Sequence, residues 1–321
     1  MKPRLVLAGN VIVDLVIEVP ALPERGGDVI GTRTDRTAGG GFNTLVAARR
    51  LGTEAAYAGL HGTGPHGDLV REALAAEGVR TLLPVREDGD TGFCVALVDS
   101  GGERTFVTSF GVDSRLTGAE LDAVADLLTG DDLVQLSGYG LVMPVNGPLL
   151  SRFTARLPAG VTVCFDPAPL VAGIPAAVLD PVLARTDWLS CNAREGRLMT
   201  GHENPARSAA ALRERLSPGA GVLVRADKDG CWLAAPGTAP VHVPGFAVEA
   251  VDSNGAGDAH VGAFLALLSR GLDPLSAARG ANAAAAYAVT RRGPATAPGL
   301  AELVAFLGAD PLAHRLAALS V

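Results

Sequence analysis

From about residue 118 the chain alternates short apolar runs with longer amphipathic stretches, and this rhythm limits its fold more than any other feature. Helical patterning over 118–129, 146–156, 175–184 and 205–216 separates strand-like runs at 132–137, 161–165, 187–190 and 221–226. A short helix is expected from Ala193, strands at 230–234 and 240–250, and helices at 257–270, 274–290 and toward the C-terminus. Strands alternating with helices of this length predict a doubly wound, mostly parallel sheet with helices on both faces. At 321 residues the chain suits one such α/β domain.

The first third reads differently. Strand-like runs at 4–9, 12–19 and 28–37 follow one another without helices, and 91–98 and 103–110 flank the turn Ser100-Gly101-Gly102 as in a hairpin. Residues 11–37 and 88–112 therefore predict a small antiparallel sheet inserted into the main domain as a lid. Between them lie a glycine-rich turn at 38–41, a short helix ending at Gly52, a strand at 54–60 and a helix at 67–77.

The formal net charge of −7 argues against a nucleic-acid binder, which would carry a basic face. Lys2 and Lys228 are the only lysines among 27 basic residues. Neither sits in a glycine-rich loop, so a P-loop of the Walker type is excluded. Cys94, Cys164, Cys191 and Cys231 form no C-x-x-C pair and read as free buried thiols in a reducing cytoplasm. No run is apolar enough to span a membrane, and no secretory signal is visible, since Asn10, Asp14 and Glu18 interrupt the first apolar run. Gly62-Thr63-Gly64-Pro65-His66-Gly67 satisfies G-x-G-x-x-G, but Pro65 removes one of the amides a dinucleotide site would need.

Chemistry concentrates in Asp252-Ser253-Asn254-Gly255-Ala256-Gly257-Asp258, directly before an Ala- and Leu-rich helix. Gly255, Ala256 and Gly257 let a substrate approach the backbone, and their N–H groups open a helix, where anions are attracted. Asp258 sets a carboxylate in the first turn of that helix. An anion cradle beside a general base is what phosphoryl transfer to a hydroxyl requires. The same segment also reads as a loop with an acidic helix start. Upstream, Gly39-Gly40-Gly41-Phe42-Asn43 joins a strand to a helix, and its bare backbone leaves room for a ring.

These two segments, in this order, resemble the two signatures of the ribokinase, or PfkB-type, carbohydrate kinases, and the resemblance runs along essentially the whole chain. Gly9-Asn10 with Asp14, Asp166-Pro167, Asn192-x-x-Glu195 and Asn282 agree with it. The resemblance implies a ribokinase-like sandwich with a β lid, ATP as phosphoryl donor and Mg2+ as cofactor. It makes Asp258 the base, Gly255, Ala256 and Gly257 the anion hole, and Asp14, Gly40, Gly41 and Asn43 the sugar-binding set. Asn192 and Glu195 would organise Mg2+ largely through water. Asp252 would serve a monovalent-cation site, with potassium as the cation. Asn192, Arg225, Gly230 and Asn282 fall on the nucleotide side.

The sequence also departs from ribokinases proper. No lysine follows Gly41, and Ser137 or Gly138 stands where a glutamate is usual, so ribose itself is in doubt. Arg225 replaces a usual threonine, and its side chain either reaches a phosphate or faces solvent. The segment Gly293-Pro294-Ala295-Thr296-Ala297 lacks the usual serine near the cation loop. The expected activity is transfer of the ATP γ-phosphoryl group to a primary hydroxyl of a sugar or sugar-like molecule. A nucleoside is the alternative acceptor, with Phe42, Phe93, Phe106 and Phe110 as a hydrophobic lid surface. A sugar phosphate is a third, with Arg33, Arg36 and Arg104 as candidate ligands. A non-catalytic sensor on the same fold is the reading from another class. His260, two residues past Asp258, reads as a packed or partly exposed helix residue. A homodimer through the lid is expected.

Overall fold

The computed structural model describes residues 3–319. The main sheet takes β1 (Arg4–Ala8), β4 (Glu54–Tyr57), β5 (Arg80–Thr81), β8 (Leu133–Ser137), β9 (Thr162–Asp166), β10 (Trp188–Asn192), β11 (Gly221–Arg225), β12 (Gly230–Ala234) and β13 (Val241–Pro244). The lid takes β2 (Val11–Glu18), β3 (Arg33–Gly40), β6 (Phe93–Val98) and β7 (Arg104–Ser109). The nine strands of the main sheet run in the order β13-β12-β11-β10-β9-β8-β1-β4-β5. All pair in parallel from β5 to β11, and β12 and β13 append an antiparallel edge.

Period-2 alternation decides which helix layer each strand residue meets. Val6, Val134, Phe165 and Val224 pack on one face with Leu121, Leu150, Val182 and Leu212 from helices at 118–213. Leu5, Leu133, Cys164 and Leu223 pack on the other with Phe264, Leu267, Ala281 and Leu303 from the C-terminal helices. Fully buried Val/Leu runs are what a parallel sheet covered on both faces demands.

The lid sheet has the order β3-β2-β6-β7. Its outer pairs are antiparallel, whereas the central β2–β6 pair is parallel, because the chain leaves to build β4, β5 and two helices before it returns as β6. Ala38, Gly39 and Gly40 belong to β3 rather than to a turn, with Gly39 opposite Ile12 and Gly40 opposite Val11. The strand expected over 240–250 is confined to Val241–Pro244. Pro244 and the close pass of Gly245 to the Lys228 carbonyl end the pairing there. All four cysteines are buried and free, and Cys191, like the others, lies within a strand. No helix among the described residues is long and apolar enough to cross a membrane.

Candidate active site

The main sheet reverses direction of growth at β1: the chain adds β4 and β5 on one side and β8 through β11 on the other. Crevices at such switch points, beyond the carboxyl ends of parallel strands, bind ligands. A cavity of about 280 Å3 opens there beneath the lid. Asp14 and Phe106 reach it from the lid, Gly40 and Gly41 from the end of β3, and Gly255, Gly257 and Asp258 from the start of the helix Ala256–Ser269.

Asp258 anchors the site. Asn43 Nδ2 donates to its Oδ2 at 3.3 Å and Thr44 Oγ1 to its Oδ1 at 3.3 Å. The two glycine-rich segments, more than 200 residues apart, thus meet at one carboxylate. Close packing of their helices makes this meeting possible: a Cβ on Gly262 would fall 2.3 Å from the Thr44 carbonyl oxygen. Asp258 keeps part of its surface in the cavity, but protein atoms surround it. This desolvation, with the nearby negative Asp166, raises its pKa from 3.8 to about 7, against the lowering pull of Asn43, Arg225 and Thr44. Gly255 caps the helix with φ of 72°, a left-handed conformation that favours glycine.

Asp14 sits across the cavity. Burial raises its pKa to about 6, partly offset by the nearby Asn254 side-chain amide. Gly39 makes the space for it, since a Cβ there would lie 2.0 Å from Asp14 Oδ2. Gly39 therefore serves the carboxylate, whereas Gly40 and Gly41 line the cavity itself. Asn43, expected in the sugar-binding set, lines the cavity and also braces it: its amide donates to Asp258 at one end and accepts from Ala295 N–H at the other, 2.9 Å away.

Asn192 and Glu195 form a capping box on the helix Ala193–Thr200, with three mutual hydrogen bonds of 2.8 Å. The pair is thus a helix start and a candidate metal site together. Glu195 lines the cavity, and its pKa is raised by burial and by Asp166, against Arg225. Three carboxylates, Asp166, Glu195 and Asp258, so share one region with a single arginine. Among the described residues no three His, Cys, Asp or Glu side chains come together closely enough to hold a metal ion directly, so a divalent cation here would be reached largely through its own water.

Arg225 neither faces solvent nor extends freely toward a phosphate. It folds back under the cradle, donating to Asp166 Oδ2 at 3.1 Å and to Ser190 Oγ at 2.7 Å, with Glu195 3.8 Å away. A Cβ on Gly257 would lie 3.5 Å from its Nη2. A permanent positive charge therefore underlies the helix start, and Asp166 and Glu195 push its pKa up despite burial.

Three of the expected site residues lie off this cavity. Asn282 does not line the cavity; its amide donates to the Val243 carbonyl at 2.9 Å and the Pro244 carbonyl at 3.2 Å, and its Oδ1 meets His260 Nε2 at 3.1 Å. It ties its helix to β13, and burial lowers the pKa of its partner His260 to about 3. Gly230 also lies off the cavity; it is a glycine because a Cβ would strike the Val243 carbonyl oxygen at 2.2 Å. Asp252 already has partners. It pairs with Arg104 of the lid, and it accepts from Asn254 N–H at 2.9 Å and Gly293 N–H at 3.0 Å. Three donors occupy most of a carboxylate's four lone-pair sites, and the guanidinium already supplies the positive charge.

Sequence reasoning gave Thr44, Gln135 and Tyr139 no role, although Thr44 bonds Asp258 and the other two line the cavity. Buried Gln135 Oε1 has no hydrogen-bond partner, and neither has buried Asn10 Oδ1. Their one visible signal was a polar residue at or beside the carboxyl end of an apolar strand. In the Gly62–Gly67 loop, Asp90 already accepts from His66 N–H at 3.1 Å and Gly67 N–H at 2.7 Å.

The profile of the pfkB family carbohydrate kinases matches residues 2–299. The chain is 33% identical over 317 residues to a protein of Escherichia coli (strain K12) named uncharacterized sugar kinase YegV, covering 98% of this chain and 95% of that one. It is 33% identical over 308 residues to the ATP-dependent ribose-1-phosphate kinase of Halopiger xanaduensis, covering 95% and 98%. Among solved structures, an E. coli protein assigned as a ribokinase II, in complex with ATP and Mg2+, superposes with a TM-score of 0.80 at 25% identity, covering 95% of this chain and 99% of that one.

Proposed function

The chain belongs to the pfkB family of carbohydrate kinases, ATP-dependent phosphotransferases acting on sugar hydroxyls, and on that premise we propose that it phosphorylates a primary hydroxyl of a sugar or sugar-like molecule with Asp258 as general base. The observation that carries this reading is a carboxylate with a pKa near 7, one helical turn from a glycine-lined helix start over a buried arginine. A base is most effective when its pKa lies near the working pH. Asp258 takes the proton of the hydroxyl as its oxygen attacks the γ-phosphorus and the bond to ADP breaks. The N–H groups of Gly255 and Gly257, with that of Ala256 once it leaves the Ser253 carbonyl it meets at 3.3 Å, then face the equatorial phosphoryl oxygens. Asp14 and the free acceptor atoms of Asn10 and Gln135 suit the several donors of a polyol. Glu195, braced by Asn192 and beside Asp166, would hold Mg2+, which supplies charge neutralisation on the nucleotide when bound.

Lid side chains divide the alternatives. Phe42 is core and Phe93 packs against it, whereas Phe106 and Phe110 remain 57% and 47% exposed at the cavity. Those two rings with Tyr139 support a nucleoside as second acceptor class. Arg33 and Arg104 are already paired with Asp35 and Asp252, which leaves exposed Arg36 as the free member of the set considered for a sugar phosphate. The exposed Phe106 and Val107 support a homodimer through the lid, and the four buried thiols suit a reducing cytoplasm.

The test is ADP release from Mg-ATP with pentoses, hexoses, ketoses, nucleosides and sugar phosphates, repeated with Asp258→Asn. One acceptor should stand out and should lose turnover by several orders of magnitude in the variant. Near-normal turnover in Asp258→Asn would falsify the mechanism.

A further inference from the structure

Residues 252–254 immediately precede the anion cradle, and the first two are held by one side chain of the lid. Arg104, at the start of β7, pairs with Asp252 and donates to Ser253 Oγ at 2.8 Å. Asp14, on β2, and Asn254 line the same cavity. A third link, Arg292 to Glu18 of β2, joins the lid to the neighbouring loop but is largely exposed, whereas Arg104 and Asp252 are only 21% and 17% exposed. The same loop is fixed from below, where Val251 and Asp252 N–H groups donate to the Val289 carbonyl and Gly293 N–H donates to Asp252. Asp252 is therefore a junction between the lid, the C-terminal helix layer and the cradle.

We propose that Arg104 is a positioning residue that couples lid closure to assembly of the anion cradle, its guanidinium serving Asp252 in place of a monovalent cation. The reasoning is geometric. Gly255, Ala256 and Gly257 offer their amides to an anion only if the backbone ahead of them is held. Gly255 sits at φ of 72°, in the left-handed region most residues avoid, and a small change in the preceding residues rotates the cradle amides. The donors that hold Asp252 are a guanidinium and two backbone N–H groups, and only the guanidinium comes from the lid. When the lid lifts, that charge leaves, Asp252 becomes an under-compensated carboxylate beside an anion site, and the cradle loses its brace. The arrangement makes phosphoryl transfer conditional on a closed lid, and a closed lid excludes the water that competes with the acceptor.

This inference rests on the kinase reading, so its test has one arm that needs no turnover. In the unliganded protein, Arg104→Met should speed amide hydrogen exchange over residues 251–257 while leaving the interior of the main sheet unchanged; Arg104→Lys should lie between the two. In the kinase assay, Arg104→Met should lower acceptor-dependent turnover by about two orders of magnitude. It should lower acceptor-independent ATP hydrolysis far less, so the ratio of the two collapses. A merely structural loss would reduce both together. Added guanidinium should restore part of the turnover of Arg104→Ala where potassium and sodium at equal ionic strength do not, and the wild type should turn over equally with either salt. Unchanged exchange in the loop with an unchanged turnover ratio overturns the proposal. So does a wild type dependent on potassium. Silence of the wild type toward every acceptor, with loop exchange altered as expected, overturns the kinase reading and leaves the latch standing.

Discussion

If Asp258 is held near neutrality by burial, then removing its ability to ionise should stabilise the fold, increasingly so as pH rises from 3.8 to about 7. In the unfolded chain the carboxyl titrates at its ordinary value of 3.8, and in the folded protein at about 7. Between these values the folded state holds a proton that the unfolded state has released. Wild-type stability therefore falls as pH rises through that window and is level above it. The full difference is worth about 4 kcal/mol, at ~1.4 kcal/mol per decade of pKa. Asp258 also touches the cavity, so water there screens it, and an asparagine partly mismatches the amide of Asn43. About half the figure, roughly 2 kcal/mol, is the reasonable expectation. For a chain of this size that is a rise in Tm of about 3 °C.

Thermal unfolding of wild type and Asp258→Asn, each at pH 5 and pH 8, reads this directly. The variant should melt higher at pH 8, and most of its advantage should be gone at pH 5, where the wild type is already largely protonated. The same variant should be inactive. A gain equal at both pH values would point to packing rather than charge. A loss at pH 8 would mean that Asn43, Thr44 and Arg225 outweigh desolvation, so the carboxylate would be an ordinary acid and a weak base.

Two further outcomes probe other parts of the site. Asp14→Asn should raise KM for the acceptor by about tenfold or more with little change in KM for ATP, and should remove from the kcat/KM profile the acid limb that Asp14 places near pH 6. Asn282→Ala should lower stability by about 2 kcal/mol, because the Val243 and Pro244 carbonyls and His260 lose a buried partner, while KM for ATP stays within about twofold; a large KM effect on a stable variant would return the residue to the nucleotide site.

What the sequence made legible was local. Hydrophobic period and glycine position carried the layered α/β fold, because each strand and helix is decided by a window of residues around it. The Asp252–Asp258 segment announced a helix start with an acid in its first turn, and the structure has both. The Asn192-x-x-Glu195 spacing was legible twice over: it is a capping box whatever else it does, and only the burial of Glu195 beside Asp166 gives it further meaning. What stayed hidden depends on partners far apart in the chain. Arg225 offered two orientations to a reader of the sequence, and it takes a third because Asp166 at the end of β9 and Ser190 within β10, 59 and 35 residues away, lie beside it on parallel strands. Asn282 looked free on an Ala-rich helix because nothing in that helix shows that β13 runs past it. The pairing of Asp252 with Arg104 was hidden because Arg104 is 148 residues upstream, on a sheet whose closure no local pattern records. The same distance explains the chemistry. Asp258 lies near neutrality through what surrounds it, with Asp166 and burial pushing one way and Asn43, Thr44 and Arg225 pushing the other. A motif can place a carboxylate at a helix start, but its pKa belongs to the fold.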